Sequence, residues 1–118
     1  MNERTLAIGQ GAYFAATGVW PLVDMDSFER VTGPKVDKWL VRTVGVLVAA
    51  IGATLVSAGA RRSVTGEIAG LAVGSAMGLA AIDVFYATRG RISKIYLADA
   101  LLEGLLTAAW ASCLNRSE

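Results

Sequence analysis

The sequence has no histidine, one cysteine and two prolines, and only 18% of its 118 residues are charged. Without histidine there is no imidazole for acid–base catalysis or metal ligation. Cys113 on its own excludes an internal disulfide and a cysteine-based zinc site. A soluble domain of this size covers its surface with charged residues at about a quarter of all positions. This chain falls short of that, while 54% of it is hydrophobic and its mean hydropathy is +0.51. A net charge of +1 offers little to the phosphate backbone of a nucleic acid, so no nucleic-acid partner is expected. Nothing in the residue inventory calls for a cofactor.

What the sequence does contain is apolar length. Leu6–Val23 and Thr43–Ala60 carry no Asp, Glu, Lys or Arg; Ile68–Ala87 carries only Asp83, and Ile95–Leu114 only Asp99 and Glu103. At about 1.5 Å of rise per residue, each stretch reaches roughly 27–30 Å as a helix, close to the hydrocarbon thickness of a bilayer. The expected fold is therefore all-α: an integral membrane four-helix bundle forming one domain over 1–118, with spans near 6–23, 39–60, 67–87 and 93–114. A soluble bundle needs a polar stripe on every helix, and Thr43–Ala60 offers only Thr43, Thr54 and Ser57. Met1-Asn2-Glu3-Arg4 has little net positive charge, and no clear small-residue cleavage site follows it. The first stretch is thus expected to be a span and not a cleaved signal peptide, and the location a multi-pass protein of the cell inner membrane.

Charged and helix-breaking residues place the connections. Arg61–Gly66 joins the second and third spans, and Thr88–Lys94 the third and fourth. The first connection, Asp24–Lys38, is longer. Asp26 with Glu29 three residues on resembles a capping box, Met25, Phe28 and Val31 share a face, and Gly33 ends the run. This predicts a short interfacial helix over Ser27–Thr32, with Pro34 in the first turn of the next helix. Arg30, Lys35, Lys38, Arg42, Arg89, Arg91 and Lys94 lie toward one side of the membrane; Arg4, Arg61, Arg62 and Arg116 lie toward the other. The positive-inside rule then leans toward a cytoplasmic first group with both termini outside.

In lipid, small residues that let backbones approach closely take over the role of the hydrophobic force in packing helices. Gly66, Gly70, Gly74 and Gly78 repeat the GxxxG step, and Ala72, Ala76 and Ala80 form a second ridge on the same helix. Gly45, Gly52 and Gly59 recur every seven residues, and Gly11 with Ala15 and Ala12 with Ala16 add small pairs to the first span. These ridges are expected to hold one bundle together; the Gly66–Gly78 ridge alternatively serves a homo-oligomer.

The few intramembrane charges gather at one end. Asp83 lies about one turn from the end of the third span, Asp99 and Glu103 share a face near the start of the fourth, and Arg42 sits in the first turns of the second. Intramembrane charges usually face the bundle interior. Gln10, Tyr13, Thr17 and Trp20 recur at helical spacing on the first span, and Tyr96, Asp99, Glu103 and Trp110 share a face of the fourth. The expected ligand-binding cavity is lined by Trp20, Arg42, Asp83, Tyr86, Tyr96, Asp99 and Glu103, aromatic walls with a few polar groups. Arg42 with Asp83 or Asp99 is alternatively a structural ion pair, and Trp20, Tyr86 and Tyr96 an aromatic belt.

Two neighbouring carboxyls can relay a proton or bind an amine. The expected function is therefore non-enzymatic: binding or passing a small cation or amphipathic ligand, with the lipid bilayer as the chain's surroundings. Alternatives are an accessory subunit docking a partner through its Gly-rich faces, a small proton-coupled exporter, or a lipid-modifying enzyme using Glu103 and Asp99 as an acid–base pair. Trp20-Pro21 through Phe28, then Thr32–Val41, and less distinctly Asp83, Gly90-Arg91-Ile92 and Tyr96–Glu103, resemble a pattern in small uncharacterised four-span bacterial membrane proteins. The general plan is similar to the DoxX-like proteins. That resemblance implies a bundle of the same topology and nothing about substrate.

Overall fold

In a computed structural model, residues 2–33, 38–90 and 94–116 are described, and their regular structure is entirely helical. Five helices follow in order: α1 (Glu3–Val23), α2 (Met25–Thr32), α3 (Lys38–Ala60), α4 (Gly66–Thr88) and α5 (Ile95–Arg116). Each start has a local cause where a cap is present. The Asn2 side chain accepts from the Thr5 amide at 2.8 Å, and Thr65 Oγ1 accepts from the Ile68 amide at 3.3 Å. Both satisfy amides that a helix leaves without an internal partner.

α3, α4 and α5 are long and apolar enough to cross a membrane. Their large side chains turn outward, with Leu47 59% and Leu101 66% exposed. A soluble bundle buries such residues; a lipid-facing one does not need to.

Two helix pairs make up the bundle. α1 lies along α3, α4 lies along α5, and the pairs meet more thinly through α1. The α1–α3 seam runs antiparallel on a shared seven-residue repeat: Arg4, Gly11 and Gly18 stand opposite Gly59, Gly52 and Gly45. A Cβ on Gly11 would lie 2.6 Å from the Gly52 carbonyl oxygen, and one on Gly45 2.6 Å from that of Gly18. Only glycine permits backbones this close. Arg4 closes the seam, its Nε donating to the Gly59 carbonyl at 3.0 Å.

On α4 the alanine ridge, not the glycine ridge, faces the bundle. Ala69, Ala72 and Ala76 are buried in line with Asp83 and Ala87. Gly66, Gly70, Gly74 and Gly78 have open space where a side chain would project, which corrects the expectation that they hold the bundle together. The hydrophobic core sits at the end where α1 and α4 begin and α3 and α5 finish, built from Leu6, Ala7, Leu55, Ala69, Ala72, Trp110 and Cys113.

α2 also departs from the expected bounds. It starts two residues ahead of the predicted Ser27, and its cap is Asp24, not Asp26: Asp24 Oδ1 accepts from the Ser27 amide at 3.2 Å. Asp24 also ends α1, its amide donating to the Trp20 carbonyl at 2.9 Å, so one residue serves both helices. Gly33 ends α2 with φ of 99°, a backbone conformation that favours glycine. The expectations for Pro34, Lys35 and Arg91 lie outside the described residues.

Candidate functional site

The end of the bundle opposite the core holds a cavity of about 590 Å³, lined by all five helices. It lies between the two helix pairs, at the Gly18–Gly45 end of the α1–α3 seam. Its depth follows from the α5 wall: Ile95 to Glu103 is about 12 Å along a helix.

Three carboxyl groups line it. Asp83 comes from the inward stripe of α4, in register with Ala72, Ala76 and Ala87. Asp99 and Glu103 project from one face of α5, one turn apart. Tyr13 of α1 reaches across to them, its hydroxyl donating to Asp99 Oδ1. Glu103 is 1% exposed and Asp83 5%, and neither Asp83 Oδ2 nor Glu103 Oε1 has a hydrogen-bond partner among the described residues. Buried polar atoms are nearly always satisfied in folded proteins, so two orphaned carboxyl oxygens in one cavity mark it as a place for something else.

Nearer the core the helices share a polar lock. Trp110 Nε1 donates to Gln10 Oε1 at 2.7 Å, and Gln10 Nε2 donates to the Ala72 carbonyl at 2.9 Å. Both side chains are fully buried, and they tie α1, α4 and α5 together beside the core, of which Trp110 is part. The rim away from the core is α2. Trp20 Nε1 donates to Ser27 Oγ at 2.8 Å, and the Trp20 and Phe28 rings meet edge to face at 5.4 Å. Phe28, Val31 and Thr32 of α2 thereby join the lining.

Of the seven residues singled out from the sequence, the cavity brings together Trp20, Asp83, Tyr96, Asp99 and Glu103. Arg42 and Tyr86 are not on it. Arg42 is exposed on α3, while its neighbour Val41 lines the cavity; about 100° per residue carries Arg42 off that wall. The expected Arg42 ion pair with Asp83 or Asp99 is likewise absent among the described residues, where Lys38 and Glu29 pair at 3.5 Å instead. Tyr86 sits outside, against Phe85 at 5.0 Å, and the Arg89 guanidinium lies 4.2 Å over the Phe85 ring.

Tyr13, Phe14 and Phe28 line the cavity without having been named for it. Tyr13 was legible from the Gln10–Tyr13–Thr17–Trp20 stripe. Phe14 and Phe28 carry no polar signal that separates a cavity wall from a core.

Among the described residues the lining therefore holds three acids, five aromatic side chains and no basic side chain. Among the described residues no three acidic or sulfur ligands converge as a metal site. Burying uncompensated charge is expensive, and no described basic residue ion-pairs with these carboxyls. Comparison with protein-family models, with curated proteins and with solved structures returned no match.

Proposed function

We propose that this chain is a non-enzymatic, four-span protein of the cell inner membrane whose acidic, aromatic-walled cavity binds or passes a small cation or amphipathic ligand. α1 is the fourth span in this reading. It runs antiparallel along α3 and has no charged residue between Leu6 and Val23, so a bilayer that accommodates α3 accommodates α1 beside it. α2 then lies at the interface, with Met25 buried and Asp26 and Arg30 exposed. The DoxX-like plan remains a proposal about topology.

The observation that supports the reading is the charge imbalance: Asp83, Asp99 and Glu103 share a cavity on whose wall no described residue is a lysine or arginine. A purely structural acid cluster is neutralised by its own protein; no described basic residue neutralises this one. Glu103→Gln and Asp99→Asn each remove one unit of that negative charge with little change of shape. Both are expected to weaken cation binding, or slow cation-coupled proton flux in vesicles, by about tenfold. Unchanged behaviour in both variants removes the reading.

One observation favours a second role for a different surface. The glycines of α4 face outward with nothing against them, as a helix face awaiting another helix does. In that reading the chain is an accessory subunit or a homo-oligomer. Gly74→Leu with Gly78→Leu is then expected to abolish association and leave cation binding intact.

A further inference from the structure

The three carboxyl groups are not equivalent. Asp99 receives the Tyr13 hydroxyl on Oδ1, whereas Asp83 Oδ2 and Glu103 Oε1 are buried acceptors with no donor. Both residues line the same cavity, so two unpartnered acceptors stand at its wall on neighbouring helices. A partner that satisfies both has to bring at least two hydrogen-bond donors on a positive centre.

The cavity's size and walls say what surrounds that centre. At about 590 Å³ it falls in the range of roughly 300–1,000 Å³ that organic ligands occupy, far more than a bare ion fills. The described residues offer no three-ligand metal cluster. Tyr13, Phe14, Trp20, Phe28 and Tyr96 make its wall aromatic, a surrounding suited to an apolar body that carries a positive charge. Water excluded from such walls leaves the carboxyl oxygens dependent on the ligand's own N–H groups.

We infer that the ligand class is a primary or secondary ammonium on an apolar body, its N–H groups donating to Asp83 Oδ2 and Glu103 Oε1. This rests on the cation-binding reading and narrows it. A quaternary ammonium carries the same charge and a similar body but has no N–H to give, so it leaves both acceptors orphaned and binds less well.

The test is isothermal titration calorimetry on the full chain in detergent micelles, against empty micelles as the blank. The probes are 2-phenylethylamine, its N-methyl derivative, its N,N,N-trimethyl derivative and neutral 2-phenylethanol. The primary and secondary amines are expected to bind about tenfold or more tighter than the trimethyl compound, and the alcohol weakest. Glu103→Gln is expected to weaken every cation in the series and to cost the primary and secondary amines most, narrowing their gap to the trimethyl compound. A trimethyl compound that binds as tightly as the amines overturns the N–H inference and leaves the cation reading standing. An alcohol that binds as tightly as the amines, or a series in which no cation binds, overturns both. The wild-type series decides these outcomes even if Glu103→Gln fails to fold.

Discussion

At the scale of single residues, the Gln10–Trp110 lock joins three helices beside the core. The pair is fully buried, Trp110 donating to Gln10 and Gln10 to the Ala72 carbonyl. Trp110→Phe strands Gln10 Oε1 without a donor, at a cost of about 1–3 kcal/mol for the orphaned acceptor before any loss of packing. Adding Gln10→Leu to that variant is expected to recover part of the loss, because no orphaned side-chain atom then remains. Denaturation in mixed micelles measures it, and strictly additive effects contradict a coupled pair. The residue scale is also where the sequence misled. Arg42 reads as the natural counter-charge for Asp83 or Asp99 because all lie toward one side of the membrane. Depth along a helix is legible in a sequence, whereas the direction of one side chain depends on which face its helix gives to its neighbours.

At the scale of helices, the long elements were legible and their partners were not. Runs free of charge have to be helices in lipid, because every backbone polar group there needs an internal partner. α3 begins at Lys38 and ends at Ala60, against an expected 39–60; α4 covers Gly66–Thr88, against 67–87. Glycine spacing marks a surface fit for close approach but does not name what approaches. The signal that settles it is reciprocal: Gly45, Gly52 and Gly59 match a seven-residue series on α1 that includes Gly18, and no such counterpart faces Gly66–Gly78.

These two glycine sets should therefore respond oppositely to one methyl group. On Gly52 a Cβ meets the Ala15 amide and lies 2.6 Å from the Gly11 carbonyl oxygen. Neither backbone can give way alone, so Gly52→Ala is expected to cost about 1–3 kcal/mol or more. On Gly74 the methyl meets open space, and Gly74→Ala is expected to be neutral or to gain up to about 1 kcal/mol from helix propensity. Thermal unfolding of both in the same detergent compares them directly. Equal losses contradict the seam.

At the scale of the whole molecule, one end is sealed and the other hollow. The core cluster and the Gln10–Trp110 lock fill the end where the chain starts; beyond them the helix pairs part around the acids. The gathering of Asp83, Asp99 and Glu103 at one depth was legible in the sequence, since their distance from the helix ends follows from residue counts alone. That Arg42 turns away from them was not, because it depends on how α3 is rotated. The proposed function rests on that acid cluster, with no basic residue on the described wall, in a hollow proposed to open to one side of the membrane.

Thr17 lines the hollow without belonging to the acid cluster, and Cys113 is the sole native thiol. A Thr17→Cys, Cys113→Ser protein in sealed vesicles can be labelled by small methanethiosulfonate reagents of either charge, added to one face at a time. Labelling from one face only, about tenfold faster for the cationic reagent than for the anionic one, is the expected result. Equal rates for the two charges, or equal labelling from both faces, contradicts a one-sided electronegative cavity.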